Sequence, residues 1–301
     1  REASVESGAH TGADRLTELS TVVSSTTVLS FSYTLDRLGL RTGVTEVVTS
    51  TRAISYTHDG LNRLTGATEI PGTAYTYTYD LAGNRKEAWE NSVQVQSRSY
   101  NAANQVVGWS YDAVGNLLSD GATTYSYDAL SRLASHDGTT YAYNGDGVLV
   151  AQTVGITTTH YTQDLAAPLS QVLNDGNASY VYGNSPERLR ALGGPWYLGD
   201  ALGSVRATLD DAGAATAMAS YDPWGVPQSG MIAPFGFTGE LQDATNGMVH
   251  LRARWYDAGE GRFHARDPFA GWPEQPYSLS YYQYAYSNPA LLTDPSGQCV
   301  P

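Results

Sequence analysis

Cysteine is almost missing from this chain of 301 residues: Cys299 stands alone, so a single copy can build neither a disulfide framework nor a cysteine zinc site. Lysine is as scarce, with Lys86 alone, and 17 basic side chains face 30 acidic ones. The formal charge of −13 opposes phosphate backbones, whose affinity for proteins is largely supplied by cations, and argues against nucleic acid as a partner. No apolar run approaches the roughly 18 residues of a spanning helix, so no membrane-spanning segment is expected. The opening REASVESGAH has no Met and no apolar signal core, and reads as a fragment whose export signal, if it had one, is gone. The lone cysteine and an Asn177-Ala178-Ser179 sequon permit a life outside the cell.

What the chain has in plenty is tyrosine, 22 residues, and glycine, 31 residues, which suits strands joined by tight turns. The phrase YSYDALSRL from Tyr125 has near-copies in YTYDLAGNR from Tyr77, WSYDAVGNLL from Trp109 and YAYNGDGVLV from Tyr141. Aligning the acid or amide after the tyrosine gives Asp59, Asp80, Asn101, Asp112, Asp128 and Asn144, the recurrence expected of repeated supersecondary units. Each copy alternates two tyrosines on one face, turns, and returns as a strand, which is a β-hairpin. Asp or Asn accepts N–H groups two residues on, and Gly83, Gly115 and Gly147 supply positive φ. Asn62 tolerates that conformation; Ser131 does so less well, so its turn is expected to be distorted or of another type. A lone hairpin is marginal and buries its aromatic face against neighbours, so the array should form a long twisted sheet that coils into a wall, spiral or tube. The expected fold is all-β throughout.

The hairpin copies, together with YDPWG from Tyr221, FGFTGELQD from Phe235, HLRARWYDAGEGRFHARDP from His250 and YQYAYSNPALLTDPSG from Tyr282, resemble the YD-repeat, or rearrangement-hotspot (Rhs) repeat, family. That family includes bacterial polymorphic toxins, the C components of insecticidal toxin complexes and the teneurins. GDALGSVR from Gly199 is similar to the family's linking motif ahead of its core. The resemblance implies a YD-repeat array over residues 1–180 and a repeat-associated core domain over 181–301. It implies a secreted or cell-surface shell that encloses its own C-terminal cargo polypeptide, a toxin or effector. It further implies release by aspartyl-type self-cleavage just after the core motif, with Arg254, Asp267 and Asp294 as the catalytic residues; this chain departs from the family pattern at Ala258, Phe269, Ala270 and Gln298, which is expected to impair the cut or displace it toward Cys299, Val300 and Pro301.

The chemistry of those three residues supports the assignment without deciding it. Two carboxylates held close resist joint ionisation, so one keeps a proton while the other activates water, and a guanidinium can hold one carboxylate ionised or stabilise an oxyanion. Equally, Asp-Pro opens turns and an arginine beside it forms a structural ion pair. His10, His58, His136, His160, His250 and His264 are scattered without metal-ligand spacing, and His264 is the one near enough in sequence to border Asp267. NGDG from Asn144 and SDG from Ser119 lack the acidic series of calcium loops and read as turns. No phosphate loop, nucleophile elbow or dinucleotide fingerprint is present, so neither cofactor nor metal is expected. A rival reading makes the chain a non-catalytic extracellular scaffold that assembles through sheet edges into tubes or fibres as a homo-oligomer or filament.

Overall fold

The structure is a computed structural model that describes residues 5–183 and 188–298. It is all-β, with strands antiparallel and each paired to its neighbours in sequence. A nine-stranded sheet runs from Val5–His10 to Val93–Ser97. A two-stranded piece (Ser110–Tyr111 with Leu117–Ser119) precedes a five-stranded sheet from Tyr125–Tyr127 to Thr157–His160. Further pieces of two, five, two and four strands carry the meander to Arg262–Phe263. Bridges at Ser119–Thr124 and Asn174–Ser179 join successive pieces, so the wall is an interrupted meander and not a closed barrel. Among the described residues the helical segments are three short 3-10 turns.

One turn builds the wall. Asp36, Asp59, Asp80, Asn101, Asp112, Asp128 and Asn144 each accept, through Oδ1, the N–H groups two and four residues on. The same geometry returns beyond residue 180 at Asp200, Asp210 and Asp222. The residue three after the acid is left-handed. Ser131 departs from expectation here: its φ is 63° and the turn keeps the common pattern, with Ser131 N–H donating to Asp128 O at 3.0 Å. The reason lies in the preceding turn, because Ser131 Oγ accepts from Asn116 Nδ2 at 3.0 Å. Asn104, also left-handed, takes a bond from Asn84 in the same way. The contact with the neighbouring repeat offsets the strain of a side chain at positive φ.

The tyrosine before the turn does a second job. Tyr79 donates its hydroxyl to Leu64 O at 2.5 Å, Tyr100 to Arg85 O at 2.6 Å, and Tyr143 to Leu133 O at 3.0 Å. In each case the acceptor lies five residues after the preceding turn's acid. At these three positions the repeat fastens one hairpin to the one before it, at a polar atom that burial would otherwise leave costly, whereas the Tyr127 hydroxyl makes no such bond.

Two buried clusters result. One joins Leu29, Phe31, Leu64 and Tyr77 of the first sheet to Leu209 and Trp224. The other joins Leu117, Leu133 and Leu149 to Trp255, Phe263 and Tyr284. The C-terminal third thus packs into the curl of the wall and contributes to both clusters.

Candidate functional site

The strands Val249–Leu251 and Arg254–Asp257 form a tight hairpin in which Leu251 pairs with Arg254. Arg252, at the tip, has a φ of 51°. The chain after Asp294 lies along this tip. Arg252 Nη1 donates to Pro295 O at 2.8 Å, Ala253 N–H to Ser296 O at 3.2 Å, and Arg254 Nε to Gly297 O. Gly297 is left-handed, with φ 66°, and a Cβ there would stand 2.2 Å from Leu251 O, so only glycine fits this close approach.

Arg254 is buried, its guanidinium stacked 3.6 Å from the Phe263 ring centroid and bonded through Nη1 to Tyr281 O at 2.8 Å. Its Nη2 reaches both predicted aspartates: Asp267 Oδ2 at 2.6 Å and Asp294 Oδ2 at 3.6 Å. The structure thus brings all three predicted residues together. Asp267 also caps its own turn, accepting Phe269 N–H at 2.8 Å. Asp294 opens a turn of the wall type, with Gln298 N–H on Oδ1 at 3.2 Å and Gly297 N–H on its carbonyl. Both carboxylates border one small cleft with Gln298.

Burial dominates the electrostatics. It pushes Asp267 up to about 6 against the pull of Arg254, raises Asp294, and lowers Arg254 to about 10 against the two carboxylates. The pair therefore offers what two-carboxylate chemistry requires: two acids that burial inclines to keep a proton, set around one shared cation. His264 does not border this cleft. Its ring lies edge-on to Tyr125 and Trp109, and its Nε2 faces Asp257 Oδ2 at 3.2 Å, because its neighbour Phe263 takes the face toward Arg254.

Sequence reasoning did not single out Arg252 or Phe263. The alternation in LRARWYD put Arg252 and Arg254 in register, but it could not show that residues 294–297 lie against them. Cys299, Val300 and Pro301 lie outside the described residues. Among the described residues no group of three or more His, Cys, Asp or Glu side chains could hold a metal ion. Among the described residues no helix is long and apolar enough to cross a membrane.

A meander of aspartate-turn hairpins curled around its own C-terminal third is the architecture of a YD-repeat shell. The model of the teneurin YD-shell family matches residues 4–290, and the chain belongs to that family. Of curated proteins, the tRNA nuclease WapA of Bacillus subtilis (strain 168) is 29% identical over 257 residues, covering 76% of this chain and 11% of the relative. Of solved structures, a TcdB2-TccC3 crystal structure superposes with TM-score 0.76 at 17% identity, covering 98% of this chain and 19% of that one. A Photorhabdus luminescens Tc holotoxin pore gives TM-score 0.76 at 17% identity, over 99% of this chain and 18% of that one. This chain therefore spans about a tenth of the curated relative and under a fifth of the solved chains.

Proposed function

We propose that this chain is wall and plug of a secreted shell that encloses a toxic polypeptide continuing from its C-terminal end, and that Arg254, Asp267 and Asp294 free that cargo by self-cleavage. In this reading residues 1–180 are wall and residues 181–301 the plug. The observation that carries it is Arg254 Nη2 reaching a buried carboxylate, Asp294, and a half-buried one, Asp267, while the same guanidinium holds Gly297 O, so that the chain leaving the shell passes the acids. The likeness to a tRNA nuclease and to a Tc holotoxin supports a toxic cargo.

The chemistry is hydrolysis of a peptide bond in the segment leaving Gly297. Burial raises both carboxyls, so one of the pair keeps a proton while the other is ionised; the ionised one takes a proton from water as the water oxygen bonds to the carbonyl carbon. The protonated one passes its proton to the amide nitrogen as the C–N bond breaks, leaving a new carboxyl end and a new amino end. In a chain extended past Pro301 by a reporter polypeptide, Asp267→Asn and Asp294→Asn should each leave the product uncut by intact mass while the parent is processed. Full processing of both variants overturns the self-cleavage.

The scaffold reading has one observation in its favour: among the described strands, Val5–His10 pairs on one side alone, and open edges recruit strands. Light scattering on the eluting protein decides it, since a strict monomer leaves no filament to explain.

A further inference from the structure

Before it reaches Asp294, the chain runs as a strap from Tyr282 to Ala290 across the turns of the wall. The Tyr282 hydroxyl donates to Gly115 O at 2.6 Å, Ser287 Oγ to Gly83 O at 3.2 Å, and Asn288 Nδ2 to Asn62 O at 2.9 Å. Arg41 Nη1 then donates to Ala290 O at 2.6 Å. Gly115, Gly83 and Asn62 are the same residue of three different repeats: the left-handed one that ends an aspartate turn, with φ 100°, 88° and 64°. The turn's own hydrogen bonds do not use its carbonyl. The strap visits the repeats in reverse chain order, one donor to a repeat. Ser287 and Asn288 are both 2% exposed, so water is no substitute partner.

We propose that Tyr282, Ser287 and Asn288 are positioning residues for the cleavage centre, a ruler that brings Asp294 to Arg254 only once these wall repeats lie side by side. The bonds span 167, 204 and 226 residues of sequence, with 249 for the arginine bond. Loops so long are costly to close and form after local hairpins have zipped, so the strap docks last. Asp294 lies four residues beyond Ala290 and inherits that order. The shell is thereby rolled before its cargo can be cut. The consequence for cleavage rests on the self-cleavage reading; the docking does not.

The test is the triple variant Tyr282→Phe, Ser287→Ala, Asn288→Ala, in the 301-residue chain and in the extended one. In the 301-residue chain the Gly297 and Gln298 amides should exchange about tenfold faster, while amides of Ala74–Tyr79 keep their protection. Asp294, with Arg254, Asp267 and Tyr284 as the titratable groups around it, should titrate nearer the ordinary carboxylate range as water reaches it. Cleavage of the extended chain should slow by a similar factor. Unchanged exchange and titration in a native wall overturn the ruler. If the triple variant also loses protection at Ala74–Tyr79, Tyr282→Phe alone, one hydroxyl removed, is judged by the same readouts. An extended Asp294→Asn chain that is still cut rejects self-cleavage, and the exchange result then judges the strap by itself.

Discussion

Asp59, Asp128 and Asp294 open the same kind of turn with the same oxygen, yet their acidities move in opposite directions. Burial raises all three, but Asp59 and Asp128 end below the ordinary range because Arg63 and Arg132 grip their second oxygens at 2.7 and 2.6 Å. Asp294 has Arg254 at 3.6 Å, a cation already committed to Asp267, and ends above it. Asp267 gives this a measurable sign. With a folded value of about 6 against 3.8, the folded state binds the extra proton between those limits. Its contribution to stability is fully present below about 4 and is lost as pH rises through about 6. In urea unfolding of the 301-residue chain, the stability of wild type minus that of Asp267→Asn should fall across this window and level off above it. A difference independent of pH would remove the assigned acidity. None of this was legible in DPSG or RDP as strings, which fix the turn but not the distance to a distant arginine.

At the scale of the hairpin, the slot five residues after the turn acid explains most of the packing. Leu64, Leu117, Leu133 and Leu149 occupy it and are 0 to 3% exposed. Leu149→Ala should cost about 3 kcal/mol in denaturant unfolding, as a cavity in a buried cluster. Leu130→Ala, at an exposed turn tip, should stay within about 0.5 kcal/mol. Equal costs would mean that the slot is not the anchor. Arg85 fills the same slot in YTYDLAGNR, and there it has another use: it bonds Gly259 O at 2.6 Å and Gln96 at 2.8 Å, tying the first sheet to the C-terminal third. Strands and turns between Tyr56 and Tyr143 were readable because tyrosine, acid and turn residue all recur there. The turns at Asp36, Asp200 and Asp210 escaped notice because Leu35, Gly199 and Leu209 stand where the tyrosine marks a repeat. The tyrosine belongs to the bond between hairpins, not to the turn itself.

For the molecule as a whole, the C-terminal third is a foundation of the first sheet. Glu46 and Glu69, buried in the first sheet, share Arg52, and each takes a further side-chain partner from beyond residue 200: Arg206 at 2.9 Å on Glu46 and Gln228 at 3.0 Å on Glu69. Leu209 and Trp224 complete the apolar cluster beside them. Such contacts cross most of the chain, and no local pattern announces them. A chain ending at residue 194 keeps the nine-stranded sheet and its turns, but loses these apolar partners and leaves two buried carboxylates sharing one arginine. Removing one member of a buried charge cluster costs several kcal/mol, and the uncovered apolar face favours association. The fragment should therefore bind a hydrophobic dye and scatter as a mixture of sizes at concentrations where the full chain does neither. A monodisperse fragment with no dye binding would show that the wall stands without its plug, and that the C-terminal third is cargo-facing ornament to a sheet already self-sufficient.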